Sequence, residues 1–387
     1  MPDKRLKRIL VGGLLATTLL LPATVLRAEV GVGDGEVLVG MVNARSGPAA
    51  GLGQGMLVGA DSVFKEVNAA GGVNGRKINL IVADDGYEPD RTVDETIAMI
   101  EKKQVFCLFG YVGTPTANAA IPIVAETKVP LVGLFTGAMT LRSPVTPEIV
   151  NIRASYDDEA EALVDYFITR GNAKSFGVFY QDDGFGQAVL SGTEKALKKR
   201  GLAVTATGLF QRNTVAVKTG LSKMLESRPD AIVMAGPYTP LAEFIKIAKT
   251  EGLKSRLATV SFVGTDNLVG MVGALGDGVV ISQVVPFPGD ASLPITKSCG
   301  ELVGKHHPGE VLNFVSFEGC ITAKVLVEGL QAAGRELRRE GLLRALEQLS
   351  GRDLGGITVT LGPGDHQALD VVFLTEIRGG RIAKLER

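Results

Sequence analysis

The sequence predicts an α/β fold in which mostly parallel sheets are covered by helices. From residue 36 onward, short β-branched runs alternate with segments whose apolar residues recur at the helical period. The runs are apolar nearly throughout, which is typical of strands that helices cover on both faces. The chain has 387 residues, more than the roughly 250 to 300 at which one hydrophobic core stops growing. Two domains are therefore expected.

Composition excludes several classes of protein. Lys and Arg total 41 against 42 Asp and Glu, so the chain has no basic surplus and no nucleic-acid partner is expected. With 45% apolar residues the chain is predicted to be globular.

The first 28 residues have the pattern of a secretory signal peptide. Residues 9–26 are uncharged and follow a basic start that contains Lys4, Arg5, Lys7 and Arg8. A retained membrane anchor is the alternative, which several Gly and Thr residues and Pro22 in the apolar run disfavour. We expect cleavage near Ala28 and a mature chain outside the cytoplasm.

The elements of the first half follow from these patterns. Helices are predicted at 54–69, where Gly71 and Gly72 end the pattern, and at 91–102. Buried strands are predicted at 37–42, 78–83, 105–109 and 129–135.

The second half repeats the alternation. Helices are predicted at 157–169 and 186–199, around Leu221 and Leu241, and near 295–305, 316–333 and 340–349. Strands are predicted at 175–180, 202–210, 231–235, 279–285, 357–361 and 371–377. Short crossings near 150–155 and 280–290 are expected to connect the two units.

The three cysteines leave two interpretations open. Cys107 lies in an apolar predicted strand, whereas Cys299 and Cys320 are 21 positions apart on predicted helices. An oxidising compartment permits a disulfide, for which Cys299 and Cys320 are the favoured pair. Three buried thiols are the alternative.

Hydroxyl groups follow two of the predicted strands. In open parallel sheets, ligands bind beyond the carboxyl ends of the strands, where Thr114 and Thr136 stand. Thr114 is predicted as an N-cap with Pro115 at N1, which leaves backbone N–H groups free to meet a small carboxylate. The alternative is that both threonines only cap their helices.

Other candidate motifs predict no catalysis. The pairs Asp84-Asp85 and Asp182-Asp183 follow strands, and turn or capping chemistry is favoured for both. The segment Gly51-Leu52-Gly53 resembles a dinucleotide loop, but Met56 replaces the third Gly of that motif. None of the three His residues follows a predicted strand, so neither a metal nor a cofactor is expected.

Together these residues resemble a known family. The segments that carry the resemblance are SGPAAGLG at 46–53, NAAGGVNG at 68–75, Asp84-Asp85, YQDDGFG at 180–186 and AGPY at 235–238. They look like those of leucine/isoleucine/valine-binding proteins, the type I periplasmic receptors of branched-chain amino-acid ABC importers.

This resemblance implies a two-lobed clamshell, each lobe a mostly parallel sheet flanked by helices. After a signal peptide at 1–28, the N-terminal lobe is expected to comprise 29–153 plus 284–354, and the C-terminal lobe 154–283 plus 355–387. It also implies a periplasmic, non-enzymatic monomer without cofactor. Hinge closure would enclose a small amphipathic ligand, with an aliphatic amino acid favoured, and the partner would be an ABC permease in the membrane.

The resemblance also assigns binding residues. Thr114 matches the hydroxyl that holds the ligand carboxylate, and the next loop supplies Phe135, Thr136 and Gly137. Leu52, Phe185 and Tyr238 match positions that close over the ligand, and the segment Tyr156-Asp157 enters the second lobe at the cleft.

One expected acid is absent. The family's Glu that pairs with the ligand ammonium should fall near Ser261 and Phe262, where the sequence has no acid. Asp157, Asp183 or Asp266 would have to replace it, or the ligand is a simple carboxylate or amide. The remaining alternatives are a ligand-sensing receptor of the same fold and an exported hydrolase that uses Asp182 or Asp183.

Overall fold

Two large sheets and one two-stranded sheet organise the described residues. The computed structural model describes residues 29–385, so the predicted signal peptide lies outside the described residues. In chain order the first elements are β1 (Glu36–Asn43), α1 (Ala50–Ala69), β2 (Lys77–Asp84), α2 (Pro89–Ile97), β3 (Cys107–Phe109), α3 (Thr114–Thr127), β4 (Leu131–Val132) and β5 (Ile149–Val150). Their strands form a parallel sheet in the order β2-β1-β3-β4-β5.

The second sheet has seven strands. The middle elements are α4 (Tyr156–Thr169), β6 (Phe176–Gln181), α5 (Gly184–Lys198), β7 (Val204–Phe210), α6 (Lys218–Ser227), β8 (Ala231–Ala235), α7 (Tyr238–Thr250), β9 (Arg256–Thr259), α8 (Thr265–Val272) and β10 (Val280–Gln283). The last are α9 (Pro294–His306), α10 (Phe314–Ala333), α11 (Arg339–Glu347), β11 (Arg352–Asp353), β12 (Thr358–Val359), β13 (Phe373–Arg378) and β14 (Arg381–Lys384). The sheet order is β14-β13-β10-β9-β8-β6-β7, with β6 to β10 parallel and the final hairpin antiparallel.

The helices assign the chain segments to the two lobes. Helix α1 packs on α9 and α10, so the helices after β10 return to the first sheet. Helix α4 packs on α5 and β10 beside the second sheet. Before the chain enters β13, the backbone groups of His366 and Ala368 hydrogen-bond with the backbone of Asn151, which directly follows β5. The exact lobe boundaries given above stay a prediction.

Helix α1 begins four residues before its predicted start. Residues 51–53, expected in the loop after the first strand, lie in its first turn. A Cβ atom at Gly53 would lie 1.8 Å from the carbonyl oxygen of Ala44, so only glycine allows the helix to approach β1 this closely.

Five elements escaped the sequence analysis, namely β5, β9, α8, β11 and β14. Strand β9 has four residues and starts at the exposed Arg256, and β14 is an edge strand with no buried residue. Of the predicted strand at 129–135, only Leu131 and Val132 form a regular strand, because Gly133 has a φ of +77°; Phe135 then makes an isolated parallel bridge with Val112. Within residues 29–385, no helix combines the length and apolarity that a membrane span requires.

Candidate functional site

Two threonine hydroxyls meet where β3 and β4 end. The Oγ1 atoms of Thr114 and Thr136 are 2.6 Å apart and form a buried hydrogen bond. The N-cap of α3 is Gly113, so Thr114 is its first helical residue and not the predicted cap. The capping interpretation of the pair is therefore wrong for Thr114, whose hydroxyl bonds to the neighbouring loop.

Aromatic rings fill the space beside these hydroxyls. The ring of Phe262 lies 5.6 Å from that of Phe135, 6.0 Å from Tyr87 and 4.6 Å from Phe185. Phe185 in turn lies 5.2 Å from Tyr156. We call these five residues the aromatic cluster. All five are essentially fully buried, and they come from both halves of the structure.

Three further contacts join the two halves beside the aromatic cluster, and we call this contact region between the two lobes the seam. The N–H of Gly51 donates to Oη of Tyr238 at 2.9 Å. Leu52 packs closely against Gly264, because a Cβ atom added at Gly264 would lie 2.6 Å from Cδ2 of Leu52. Nε2 of Gln181 donates to the hydroxyl oxygen of Tyr87 at 3.1 Å. The structure therefore holds the two lobes in contact.

Most of the predicted site residues meet here. Leu52, Thr114, Phe135, Thr136, Tyr156, Phe185 and Tyr238 all lie at the seam, and Gly137 accepts a hydrogen bond from the backbone N–H of Tyr156 at 2.7 Å. Whether they bind a ligand stays a prediction.

The predicted acids are held elsewhere. Asp157 forms a partly exposed ion pair with Lys195 at 2.8 Å. Asp183 caps α5 by accepting from the N–H groups of Phe185 and Gly186, which confirms the capping interpretation for this residue. Oδ2 of Asp183 also accepts from Gln181 Nε2 at 2.6 Å, and burial raises its pKa.

Asp266, the third acid, is also occupied. It accepts from the backbone N–H of Phe314 at 3.2 Å, and burial raises its pKa. The structure thus does not bring these acids together.

A buried charge cluster, absent from the sequence analysis, lies behind the aromatic cluster. It comprises Arg153, Glu159 and Glu318. The guanidinium Nη2 of Arg153 lies 3.6 Å from Glu159 Oε1, and Nε lies 3.5 Å from Glu318 Oε1. The guanidinium carbon also lies 4.7 Å from the centre of the Phe135 ring, in cation–π geometry.

The carboxylate of Glu159 lies beside Ser261, the position near which the resemblance predicts an acid. Its Oε2 accepts from the backbone N–H of Ser261 at 2.7 Å and from the Ser282 hydroxyl at 2.6 Å. Its Oε1 accepts from the Ser261 hydroxyl at 3.0 Å. A signal existed in the sequence, because Glu159 falls on the apolar stripe of α4 beside Ala160 and Leu163.

Burial changes the acidities of this cluster. Burial lowers the pKa of Arg153, but the charges of Glu318 and Glu159 outweigh that effect and leave it raised. The pKa of Glu318 is raised to about 7 by burial and by the charge of Glu159, against the opposing effects of Arg153 and Arg142. Glu318 stands alone as a charge in an otherwise apolar stretch of α10, which is the signal the sequence offered.

Two nitrogens of Arg153 face acceptors, and one does not. Nε faces Glu318 Oε1 and Nη2 donates to the Ser261 hydroxyl, whereas Nη1 is buried and makes no hydrogen bond within the described residues. Burial raises the pKa of the Tyr156 phenol, and the charge of Arg153 and a hydrogen bond with Thr136 offset part of that effect. An unpaired buried polar group costs about 1 to 3 kcal/mol.

Cys299 and Cys320 form a disulfide between α9 and α10, with Cα atoms 6.1 Å apart. Cys107 is a buried free thiol. The structure thus decides for the favoured pair. Among residues 29–385, His, Cys, Asp and Glu side chains form no group of three or more that could hold a metal ion.

Two α/β lobes joined at a hinge, with polar strand ends facing each other across the seam, define the type I periplasmic-binding-protein fold. The chain belongs to the periplasmic binding protein family, whose model matches residues 36–381, and is of its leucine/isoleucine/valine-binding type. Members of this family bind small molecules outside the cytoplasm and work with ABC transporters.

Known proteins share both sequence and fold. A possible leucine/isoleucine/valine-binding protein from Rhodopirellula baltica SH 1 is 36% identical, with a TM-score of 0.87 over 91% of this chain and 96% of that one. An amino acid binding protein from Pseudomonas aeruginosa is 23% identical over 67% of this chain and 68% of its own length. A fatty acid ABC transporter substrate-binding protein from Thermomonospora curvata shares the fold, with 24% identity and a TM-score of 0.84 over 93% of this chain and 94% of that one.

Proposed function

We propose that this protein is the periplasmic solute-binding protein of an ABC importer. It captures one small amphipathic molecule between its lobes and presents the closed form to a membrane permease. The observation that carries this proposal is the buried hydroxyl pair of Thr114 and Thr136, at the seam where the lobes meet. Hinge closure would convert ligand contacts into a shape that the permease recognises.

The ligand is proposed to combine a carboxylate with an apolar body. The hydroxyls at the start of α3 suit an anion, and the aromatic cluster beside them suits a hydrocarbon. Amino acids and fatty acids, which two relatives are named for, share this combination. A branched-chain or other aliphatic amino acid is one candidate, and a simple carboxylate or amide is the other. The protein is proposed to act as a monomer and to release its ligand unchanged.

Thermal unfolding tests this function. The mature chain is denatured and refolded to remove carried ligand, then heated with L-amino acids, carboxylates, amides and sugars. A ligand at one hundred times its dissociation constant stabilises by about 2.7 kcal/mol, which raises the midpoint by several degrees. Recovery of the unchanged compound by mass spectrometry separates binding from turnover. If no compound raises the midpoint, or if a bound compound is converted, the proposal fails.

Transport is tested separately from binding. The loaded protein is added to proteoliposomes that contain the cognate permease, and uptake of radiolabelled ligand is measured. Uptake that depends on the receptor supports import. Binding without uptake contradicts the importer role and favours a sensor of the same fold.

A further inference from the structure

We propose that an electrostatic latch at the rim of the seam holds the two lobes closed. Its members are Glu88, which follows β2 of the first sheet, and Arg212 and Asn213, which follow β7 of the second sheet. We call these three residues the rim latch. The inference goes beyond the proposed function, because it assigns what holds the closed form, and it rests only on the hinge closure proposed above.

One carboxylate is held by two residues of the opposite lobe. Nη2 of Arg212 donates to Oε2 of Glu88 at 2.9 Å, and Nδ2 of Asn213 donates to Oε1 of Glu88 at 2.6 Å. Nδ2 of Asn213 also donates to the carbonyl oxygen of Gly86 at 3.2 Å. Hydrogen bonds to an ionised carboxylate are stronger than those between neutral groups, so these contacts favour the closed arrangement.

The rim latch lies far from the hinge. The chain crosses between the lobes after β5 and after β10. In the first sheet β2 is four strands away from β5, and in the second sheet β7 is four strands away from β10. Neighbouring strands are about 4.8 Å apart, which places the latch about 19 Å from these crossings. A rotation of about 10° would therefore move the latch residues apart by about 3 Å, more than a hydrogen bond tolerates.

The charges make the latch one-sided. Nη1 of Arg212 lies 3.6 Å from Oδ2 of Asp183, an acid of its own lobe. When the lobes part, Arg212 keeps Asp183, whereas Glu88 loses its contacts with both Arg212 and Asn213. The side chains of Glu88 and Arg212 are 42% and 25% exposed, so dissolved salt can screen their attraction. Closure by this latch should therefore depend on ionic strength.

Hydrogen bonds connect the rim latch to the aromatic cluster. Nε2 of Gln181 donates to Oδ2 of Asp183 at 2.6 Å and, across the seam, to Oη of Tyr87 at 3.1 Å. Tyr87 belongs to the aromatic cluster and directly precedes Glu88. Contacts that order the cluster and contacts that close the latch therefore favour the same closed form.

The backbone N–H of Gly51 reports closure without a ligand. Gly51 lies in the first turn of α1, where backbone N–H groups have no intrahelical acceptor, and its N–H donates to Oη of Tyr238 in the opposite lobe. Its hydrogen-exchange rate therefore follows the fraction of open molecules. The measurement uses the refolded, ligand-free mature protein, and mass spectrometry with electron-transfer fragmentation assigns exchange to single residues.

Salt tests the latch in the unmodified sequence. At 1 M NaCl the Debye length falls to about 3 Å, so the ion pair of Arg212 and Glu88 is largely screened. We expect the exchange rate of Gly51 to rise about 3-fold or more between about 0.05 M and 1 M NaCl. The backbone amides of β1 and β6, which report global unfolding, should exchange at unchanged rates.

Variants assign this effect to the latch residues. Glu88→Gln keeps the side-chain size but removes the charge. It should raise the exchange rate of Gly51 about 3- to 10-fold at low salt and remove the response to salt. Arg212→Gln should act in the same direction, and the double variant should add little, because both changes break one contact. Asp94→Asn, which removes an exposed charge further along α2, is the matched control and should exchange as the wild type does.

Three results would overturn the inference. Equal Gly51 exchange in Glu88→Gln and the wild type would exclude the latch. A wild type that exchanges at the same rate in low and high salt would exclude an electrostatic latch. Effects that add in the double variant would show that Glu88 and Arg212 do not act on one contact.

Two controls separate this test from other failures. If a variant also exchanges faster in β1 and β6, it is unfolded, and the salt response of the wild type decides alone. Because no ligand is added, a failed latch leaves the receptor function intact, and a failed ligand panel leaves the latch intact.

Discussion

The hydroxyl groups of Thr114 and Thr136 share a hydrogen bond of 2.6 Å although 22 positions separate them in the chain. The contact exists because β3 and β4 are neighbours in the parallel sheet and end at the same edge. It places two small polar groups beside the aromatic cluster, at the seam where the two lobes touch.

Removal of either hydroxyl should weaken ligand binding without loss of the fold. Thr114→Val and Thr136→Val conserve the side-chain shape but remove a donor to the ligand carboxylate. A hydrogen bond to a charged group is worth about 1.5 to 3 kcal/mol, so the dissociation constant should rise roughly 10- to 100-fold. Thr116→Val removes a hydroxyl that bonds the Gly113 carbonyl at 3.0 Å on the same helix, and should affect stability but not affinity. Equal affinities in all three variants would contradict this assignment, and calorimetric titration measures them.

Loss of the Tyr238 hydroxyl should favour the open form. Tyr238→Phe removes the acceptor for Gly51 N–H, one of the hydrogen bonds that join the lobes. A net hydrogen bond of about 1 kcal/mol predicts a roughly fivefold faster ligand dissociation, which stopped-flow fluorescence measures. Tyr166→Phe on α4 is the control and should leave the rate unchanged. A Tyr238→Phe variant that releases ligand at the wild-type rate would show that this contact does not stabilise closure.

Glu318 should make the protein less stable as the pH rises. Its pKa is about 7 in the fold, because of burial and the charge of Glu159, against 4.5 as the ordinary value. Between these two values the folded chain holds a proton that the unfolded chain has lost, so unfolding releases it and is favoured by higher pH. The free energy of unfolding should therefore fall between about pH 5 and pH 8 through this group.

The variant Glu318→Gln isolates this contribution. Urea unfolding at several pH values should show a smaller loss of stability with rising pH than in the wild type. Glu340→Gln, at an exposed position of α11, should keep the wild-type pH dependence. If Glu318→Gln and the wild type lose stability in parallel, Glu318 does not titrate in this range.

Reduction of the Cys299–Cys320 disulfide should destabilise the protein. The bridge closes a loop with a sequence separation of 21 residues, and loops of this size contribute roughly 3 kcal/mol by restricting the unfolded chain. The double variant Cys299→Ala, Cys320→Ala should unfold at lower denaturant and should not respond to reductant. A wild type whose unfolding midpoint is the same with and without reductant would contradict the prediction.

Local pattern was sufficient to predict most of the fold. The apolar runs at β1, β2, β6 and β8 and the stripes of α1, α4 and α10 are close to their predicted places. Their signal is strong because each element packs one or two faces against the core and so repeats apolar residues at a fixed period. Strand β9 has only four residues and β14 is an edge strand without a buried residue, so neither is long or buried enough to show such a period, and both were missed.

The candidate site was predicted in part. The positions of Thr114 and Thr136 followed from the rule that strand ends meet at one edge of a parallel sheet. The partners of Asp157 and Asp266 could not be predicted, because hydrogen bonds to Lys195 and Phe314 depend on how distant helices pack.

By itself the sequence determined the class of fold, the order of its elements and the loops that face the seam. These depend on composition and on periodicities within about ten to twenty residues. Only the tertiary structure decided that Arg153, Glu159 and Glu318 form one buried charge cluster. Their segments come from a crossing, from α4 and from α10, and burial strengthens the interaction between their charges once packing brings them together. A sequence read along the chain contains each charge, but not the distance between them.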